Sequence, residues 1–86
     1  MIFQSLSAQN SQRIDLSLKE QTLKVFLEIV EQKTNYTFMY NNLDLEQKIS
    51  VQVKQATIDE LLKKALTPLH INFEIANAKI ILTKQD

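Results

Sequence analysis

The chain has 86 residues, with ten Lys or Arg against ten Asp or Glu and 44% apolar side chains. That is one domain of ordinary globular composition, and a net charge near zero gives no electrostatic case for nucleic acid or an anionic membrane as partner. Cysteine and glycine are both absent, which excludes disulfides, thiol chemistry and the glycine-rich loops that cradle phosphates, and no stretch approaches the ~20 apolar residues of a membrane-spanning helix.

Residues 1–12 are expected to be a disordered tail. Within it, Leu6-Ser7-Ala8 followed by Gln9 looks like the end of a secretory signal around its cleavage site, although the basic start and most of the apolar core are missing. A single domain is expected over 13–85. Residues 13–18 alternate, with Ile14, Leu16 and Leu18 on one face and Asp15 and Ser17 on the other, which predicts a half-buried strand. Lys19-Glu20-Gln21 reads as a short polar link. Thr22 fits a helix N-cap, its hydroxyl accepting from a first-turn amide. Leu23, Phe26, Leu27 and Val30 then follow the i, i+3, i+4, i+7 spacing of a core-facing helix. Val25 and Ile29 add a second apolar line, read here as a helix covered on two sides rather than a face left open for a partner. The helix is expected to stop near Thr34-Asn35.

Residues 36–40 form a β-rich run with Tyr36, Phe38 and Tyr40 on one face. Residues 41–47 read as a polar loop carrying Leu43 and Leu45. A second strand–helix unit follows. Ile49, Val51 and Val53 alternate with polar residues, Thr57 and Glu60 have the spacing of a capping box, and Ile58, Leu61, Leu62, Ala65 and Leu66 make the buried stripe. Asp59 with Lys63 and Glu60 with Lys64 are favourable i, i+4 pairs, each contributing roughly 0.2–0.5 kcal/mol. Thr67-Pro68 ends the helix, because the residue before proline disfavours helical geometry. Residues 70–75 and 79–83 are two strands joined at Ala76-Asn77-Ala78. With glycine absent, the turns must rely on asparagine, and Asn35, Asn41, Asn42 and Asn77 stand where turns are expected.

The two units are copies. Residues 14–23 align without a gap on 49–58, an offset of 35 positions, and the register continues through Phe26-Leu27 over Leu61-Leu62 to Tyr36-Thr37-Phe38 over Ile71-Asn72-Phe73. A period of this size is one supersecondary unit. The fold class is therefore α+β, a duplicated βαβ unit in the order β-α-β-β-α-β-β.

The side chains do not assemble a catalytic set. His70 is the single histidine, and it stands at a strand entrance. Metal sites need several ligands at workable spacing, and Asp44, Glu46, Asp59 and Glu60 do not form a calcium-loop pattern. The serines lie in the tail or on outward strand positions, without a neighbouring base. The run Tyr36-Phe38-Tyr40 could stack nucleobases, but no basic groove flanks it, so core packing is preferred. Contact of Tyr36 and Tyr40 with a glycan is a further alternative. The expectation is a binding protein rather than an enzyme, with no cofactor and no metal.

Three segments carry a family resemblance: Ile14-Asp15-Leu16-Ser17-Leu18 with Thr22-Leu23-Lys24-Val25-Phe26-Leu27; Thr34-Asn35-Tyr36-Thr37-Phe38-Met39-Tyr40-Asn41; and Lys48-Ile49-Ser50-Val51-Gln52-Val53 with Ala56-Thr57-Ile58-Asp59-Glu60-Leu61-Leu62. Ile71-Asn72-Phe73-Glu74-Ile75 and Lys79-Ile80-Ile81-Leu82 complete the pattern. The chain resembles the STN domain, the secretin and TonB N-terminal short domain, over about residues 13–84. It is most similar to the version at the front of TonB-dependent outer-membrane receptors. Family members often carry Gly where Asn35 and Asn77-Ala78 stand here, and asparagine tolerates the same αL geometry.

The resemblance implies two helices side by side between two small sheets, and a periplasmic domain of an outer-membrane protein. It implies no insertion of this domain into the membrane and no nucleic-acid partner. The implied function is signalling: the domain relays ligand occupancy by contacting the periplasmic domain of an anti-sigma regulator, next to the plug and barrel of its own receptor chain. The alternative is a secretin-type assembly domain with no signalling role. A monomer in isolation is expected. Candidate partner-binding residues are Tyr36, Met39, Tyr40, Asn41, Asn42 and Leu43, because the first copy departs most from the shared pattern there.

Overall fold

The computed structural model describes residues 13–85; the expected disordered tail with its signal-like Leu6-Ser7-Ala8 lies outside the described residues. Five strands and two α-helices follow in the order β1 (Ile14–Thr22), α1 (Leu23–Lys33), β2 (Thr37–Tyr40), β3 (Lys48–Ala56), α2 (Ile58–Leu66), a 3₁₀ turn (Thr67–Leu69), β4 (Ile71–Ala76) and β5 (Lys79–Lys84).

Each helix begins where its cap dictates. The Thr22 hydroxyl accepts from the Val25 amide at 3.3 Å. The amides of Leu23 and Lys24, which have no partner inside the helix, donate to the carbonyls of Gln47 and Leu45. At α2 the capping box is complete: Thr57 Oγ1 accepts from the Glu60 amide, and Glu60 Oε1 accepts from the Thr57 amide. Of the two expected i, i+4 pairs, Asp59–Lys63 forms at 3.4 Å, whereas the Glu60 carboxylate is committed to the cap and does not pair with Lys64. The C-terminus of α1 closes on Thr34, whose amide and hydroxyl both donate to the Val30 carbonyl while the hydroxyl accepts from the Tyr36 amide. A buried threonine is thereby satisfied.

The strands divide between two sheets. β1 and β3 form an antiparallel two-stranded ribbon, and β2-β5-β4 form a three-stranded sheet in which β2 runs parallel to β5. The first strands of the two repeats thus pair with each other, while the second strands, β2 and β4, flank β5. The helices lie between the sheets: α1 contacts β1, β3 and β2, and α2 contacts β3 and β4. Leu23, Phe26, Leu27 and Val30 of α1 are buried with Leu61, Leu62, Ala65 and Leu66 of α2. Ile14, Leu16, Ile49 and Val51 close the core from the ribbon, and Phe38, Ile71, Ile80 and Leu82 from the other sheet. Val25 is half-buried, and Ile29 packs at the core margin, so the second apolar line of α1 is explained by its two-sided cover.

The ribbon corrects one expectation. Lys19-Glu20-Gln21 is not a link; β1 runs on through it to Thr22. The pairing Leu16↔Val53, Ser17↔Gln52, Leu18↔Val51 is related to itself by the repeat offset, with an approximate two-fold axis at Ser17↔Gln52. The register shifts once on each side of that axis, between Leu18 and Gln21 and between Ile14 and Leu16. The positive φ values fall in the same two bulges, 51° at Glu20 and 52° at Gln55. Asn42 and Asn77 take positive φ as their turns require, but Asn35 does not, and His70 does at 60°. Asn77 and Ala78 alone connect β4 to β5, with Ala76 opposite Lys79.

Candidate functional site

The six sequence-derived contact residues lie just before β2 (Tyr36), at its end (Met39, Tyr40) and in the loop after it (Asn41, Asn42, Leu43), and they separate into anchors and exposed groups. Tyr36 and Leu43 are half-buried and pack against the core. Met39, Tyr40, Asn41 and Asn42 are exposed, with Met39 at 47% and Tyr40 at 44% of full exposure. Asn42 holds φ at 57°, which bends the chain away from β2. The loop then stiffens itself: Asp44 Oδ1 accepts from the Glu46 amide, and Gln47 Nε2 donates to the Asp44 carbonyl.

The expected single aromatic face is only partly realised. Phe38 is buried and Tyr36 half-buried, whereas Tyr40, at the strand's last position, is largely exposed. Met39 projects from the opposite face, where its register partner is Ile81 of β5, itself 39% exposed. Three large apolar side chains therefore stand in solvent on adjacent strands. Ile81 was not among the sequence-derived candidates. Its signal was Ile80-Ile81-Leu82, three consecutive apolar residues in a strand, of which alternation requires one to face away from the core.

Beside β2 lies a cleft of about 240 Å³ whose lining includes Leu27, Glu28 and Glu31 of α1, Phe38 and Tyr40 of β2, and Leu45 of the loop. Glu31 Oε2 accepts from the Phe38 amide at 2.9 Å. This carboxylate occupies an outward backbone donor of β2 and ties the strand to α1. A wider, open cleft of about 990 Å³ runs along the ribbon between Asp15, Ser17, Lys19, Gln52, Lys54 and Lys64. His70 is exposed; its amide donates to Thr67 and its carbonyl accepts from Gln85, so its backbone closes the turn before β4. Among the described residues, no three His, Cys, Asp or Glu side chains are grouped to hold a metal ion, and no helix is long and apolar enough to cross a membrane.

No family model matches the chain, and no curated protein matches it. The fold does recur in a solved structure, that of a candidate anti-sigma factor from Parabacteroides distasonis ATCC 8503, with a TM-score of 0.74 over 96% of this chain and 14% sequence identity. The chain spans 39% of the length of that protein. At this identity the likeness establishes the α+β fold of two helices and two small sheets, and nothing finer.

Proposed function

We infer that the chain is an STN-type signalling domain that acts by protein–protein contact, without turnover or cofactor. In this reading it is the periplasmic front domain of a TonB-dependent outer-membrane receptor. It reports ligand occupancy to the periplasmic domain of an anti-sigma regulator, and its other neighbours are the plug and barrel of its own receptor chain. The observation that carries the reading is the exposure of Met39 and its register partner Ile81 on the outer face of β2 and β5, with Tyr40 exposed at the end of β2. Apolar groups left in solvent together mark interaction surfaces. The STN-like order of segments over 13–84 supports the family, and the recurrence of the fold in a candidate anti-sigma factor is in keeping with a place in sigma-factor regulation.

The test is a titration of the isotopically labelled domain with the periplasmic domain of the cognate anti-sigma regulator. Shifts are expected at Met39, Tyr40, Asn41 and Ile81. Met39→Asp and Tyr40→Ala each weaken binding by about tenfold or more, as for central apolar anchors. Absence of any shift at high micromolar regulator sinks the signalling reading.

A further inference from the structure

Four strand edges border the two sheets, and three of them are blunted. β1 and β3 each carry a bulge with a positive-φ residue, Glu20 and Gln55, and bulges twist an edge away from incoming strands. β2 has four residues, and Glu31 occupies its Phe38 amide. β4 has neither device. Its register with β5 runs without a shift from Ile71↔Lys84 to Ala76↔Lys79. Among the described residues, no side chain takes its outward amides.

The direction of each β4 backbone group follows from one bond. Gln85 donates to the His70 carbonyl at 2.8 Å, so His70 and Gln85 form a hydrogen-bonded pair. Such pairs alternate along an antiparallel ladder. Asn72, Glu74 and Ala76 therefore bond to β5, while the amides and carbonyls of Ile71, Phe73 and Ile75 point outward. Side chains alternate oppositely to solvent: Asn72 and Glu74 are exposed, Ile71 is buried, and Phe73 and Ile75 are half-buried.

We propose that this edge pairs with the β4 edge of a second copy, antiparallel and centred on Phe73, to make a continuous six-stranded sheet. The register selects itself. Centring on Phe73 sets Ile71 opposite Ile75 of the other copy and uses all three outward residues on each side. Shifting the centre to Asn72 or to Glu74 leaves one outward residue on each copy without its partner. The Glu74 register also places like charges directly opposite, which is destabilising. In the Phe73-centred register, Asn72 faces Glu74 of the other copy, with no repulsion. The chain's charge balance adds no long-range barrier to self-association. One strand per copy buries less than the roughly 1,000 Å² of a stable interface, so the association is weak and concentration-dependent. It departs from the monomer that the sequence predicts, and it is independent of the signalling reading.

Sedimentation of the whole chain over a concentration series reads the proposal directly. Asn72→Lys creates two symmetric pairs with Glu74 and tightens the dimer by about tenfold; Asn72→Glu sets four carboxylates together and loosens it by about as much. Adding Glu74→Lys to Asn72→Glu restores it. Both positions are exposed, so the thermal midpoint of the diluted protein stays constant across the series. No self-association of wild type or Asn72→Lys up to about 1 mM overturns the proposal. So does a dimer indifferent to these substitutions, or protection of the Ile71, Phe73 and Ile75 amides by a regulator domain alone.

Discussion

Glu20 and Gln55 hold the same left-handed backbone, with φ of 51° and 52°, and they are the same position of the repeat, 35 residues apart. The two bulges are related by the approximate two-fold axis between Ser17 and Gln52. Non-glycine residues at such angles cost roughly 1–2 kcal/mol, while a glycine's added freedom in the unfolded chain offsets about 0.5–1 kcal/mol of any relief. Gln55→Gly and Glu20→Gly are therefore expected to be neutral or to stabilise by up to about 1 kcal/mol. Gln55→Val, β-branched where φ must be positive, destabilises by about 1–3 kcal/mol. Urea midpoints should fall in the order glycine, wild type, valine; a glycine variant less stable than the valine variant would remove backbone strain from the account of the bulge.

Each bulge is held by the other repeat. Asp15 Oδ1 accepts from the Gln55 amide at 2.6 Å, and Ser50 Oγ accepts from the Glu20 amide at 2.8 Å. Asp15 and Ser50 are again equivalent across the offset, so the duplication has preserved the bond while its acceptor differs. A charged acceptor makes the stronger bond, although exposure weakens both. Asp15→Ala should cost about 1 kcal/mol and Ser50→Ala about half of that. The sharper measurement is amide exchange: Asp15→Ala accelerates Gln55 selectively and Ser50→Ala accelerates Glu20 selectively. Equal acceleration of both amides by either substitution would mean that the ribbon loosens as a whole.

These bonds show which parts of the fold were legible in the chain. Both helices were, because their determinants are local: Thr22 and Thr57 with the first-turn amides, and apolar spacing over four turns or fewer. The ribbon bulges were not. Neither Glu20 nor Gln55 favours αL geometry, and the acceptors that hold them there lie 30 and 40 residues away. The same is true of the pairing of β2 with β5, which joins the first repeat's short strand to the end of the chain. At the candidate site, alternation grouped Tyr40 with Phe38, but the sheet ends at Tyr40 and leaves it uncovered. Ile81 stayed hidden because its neighbours Ile80 and Leu82 are equally apolar, so only the strand order reveals which of the three faces solvent.

Glu31 links the core-facing helix to the candidate site. Its carboxylate bond to the Phe38 amide takes up an outward donor of β2 and fixes the strand beside the cleft that Tyr40 lines. Glu31→Ala should lower stability by about 1 kcal/mol. It should also speed exchange at Phe38 far more than at Thr37, whose amide donates to the Ala78 carbonyl within the sheet. Because the substitution opens an edge, it should raise the rate of aggregation on heating. Glu31→Gln keeps an acceptor and should show an intermediate exchange rate. If Phe38 exchanges no faster in Glu31→Ala than in wild type, the edge is protected by something other than this side chain.

The two helix caps predict unequal losses despite their equivalent places in the repeat. Thr57 takes part in a reciprocal pair, satisfying the Glu60 amide while Glu60 satisfies its own. Thr22 makes one longer bond, to Val25 at 3.3 Å, and the amides of Leu23 and Lys24 have independent partners in the 41–47 loop. Thr57→Ala should therefore cost about 1–2 kcal/mol and Thr22→Ala about 0.5–1 kcal/mol. Thr57→Ala combined with Glu60→Ala should cost less than the sum of the two single changes, since either alone breaks the reciprocal pair. Denaturant unfolding of the four variants checks both statements, and strict additivity of Thr57→Ala with Glu60→Ala would show that the box acts as two separate bonds.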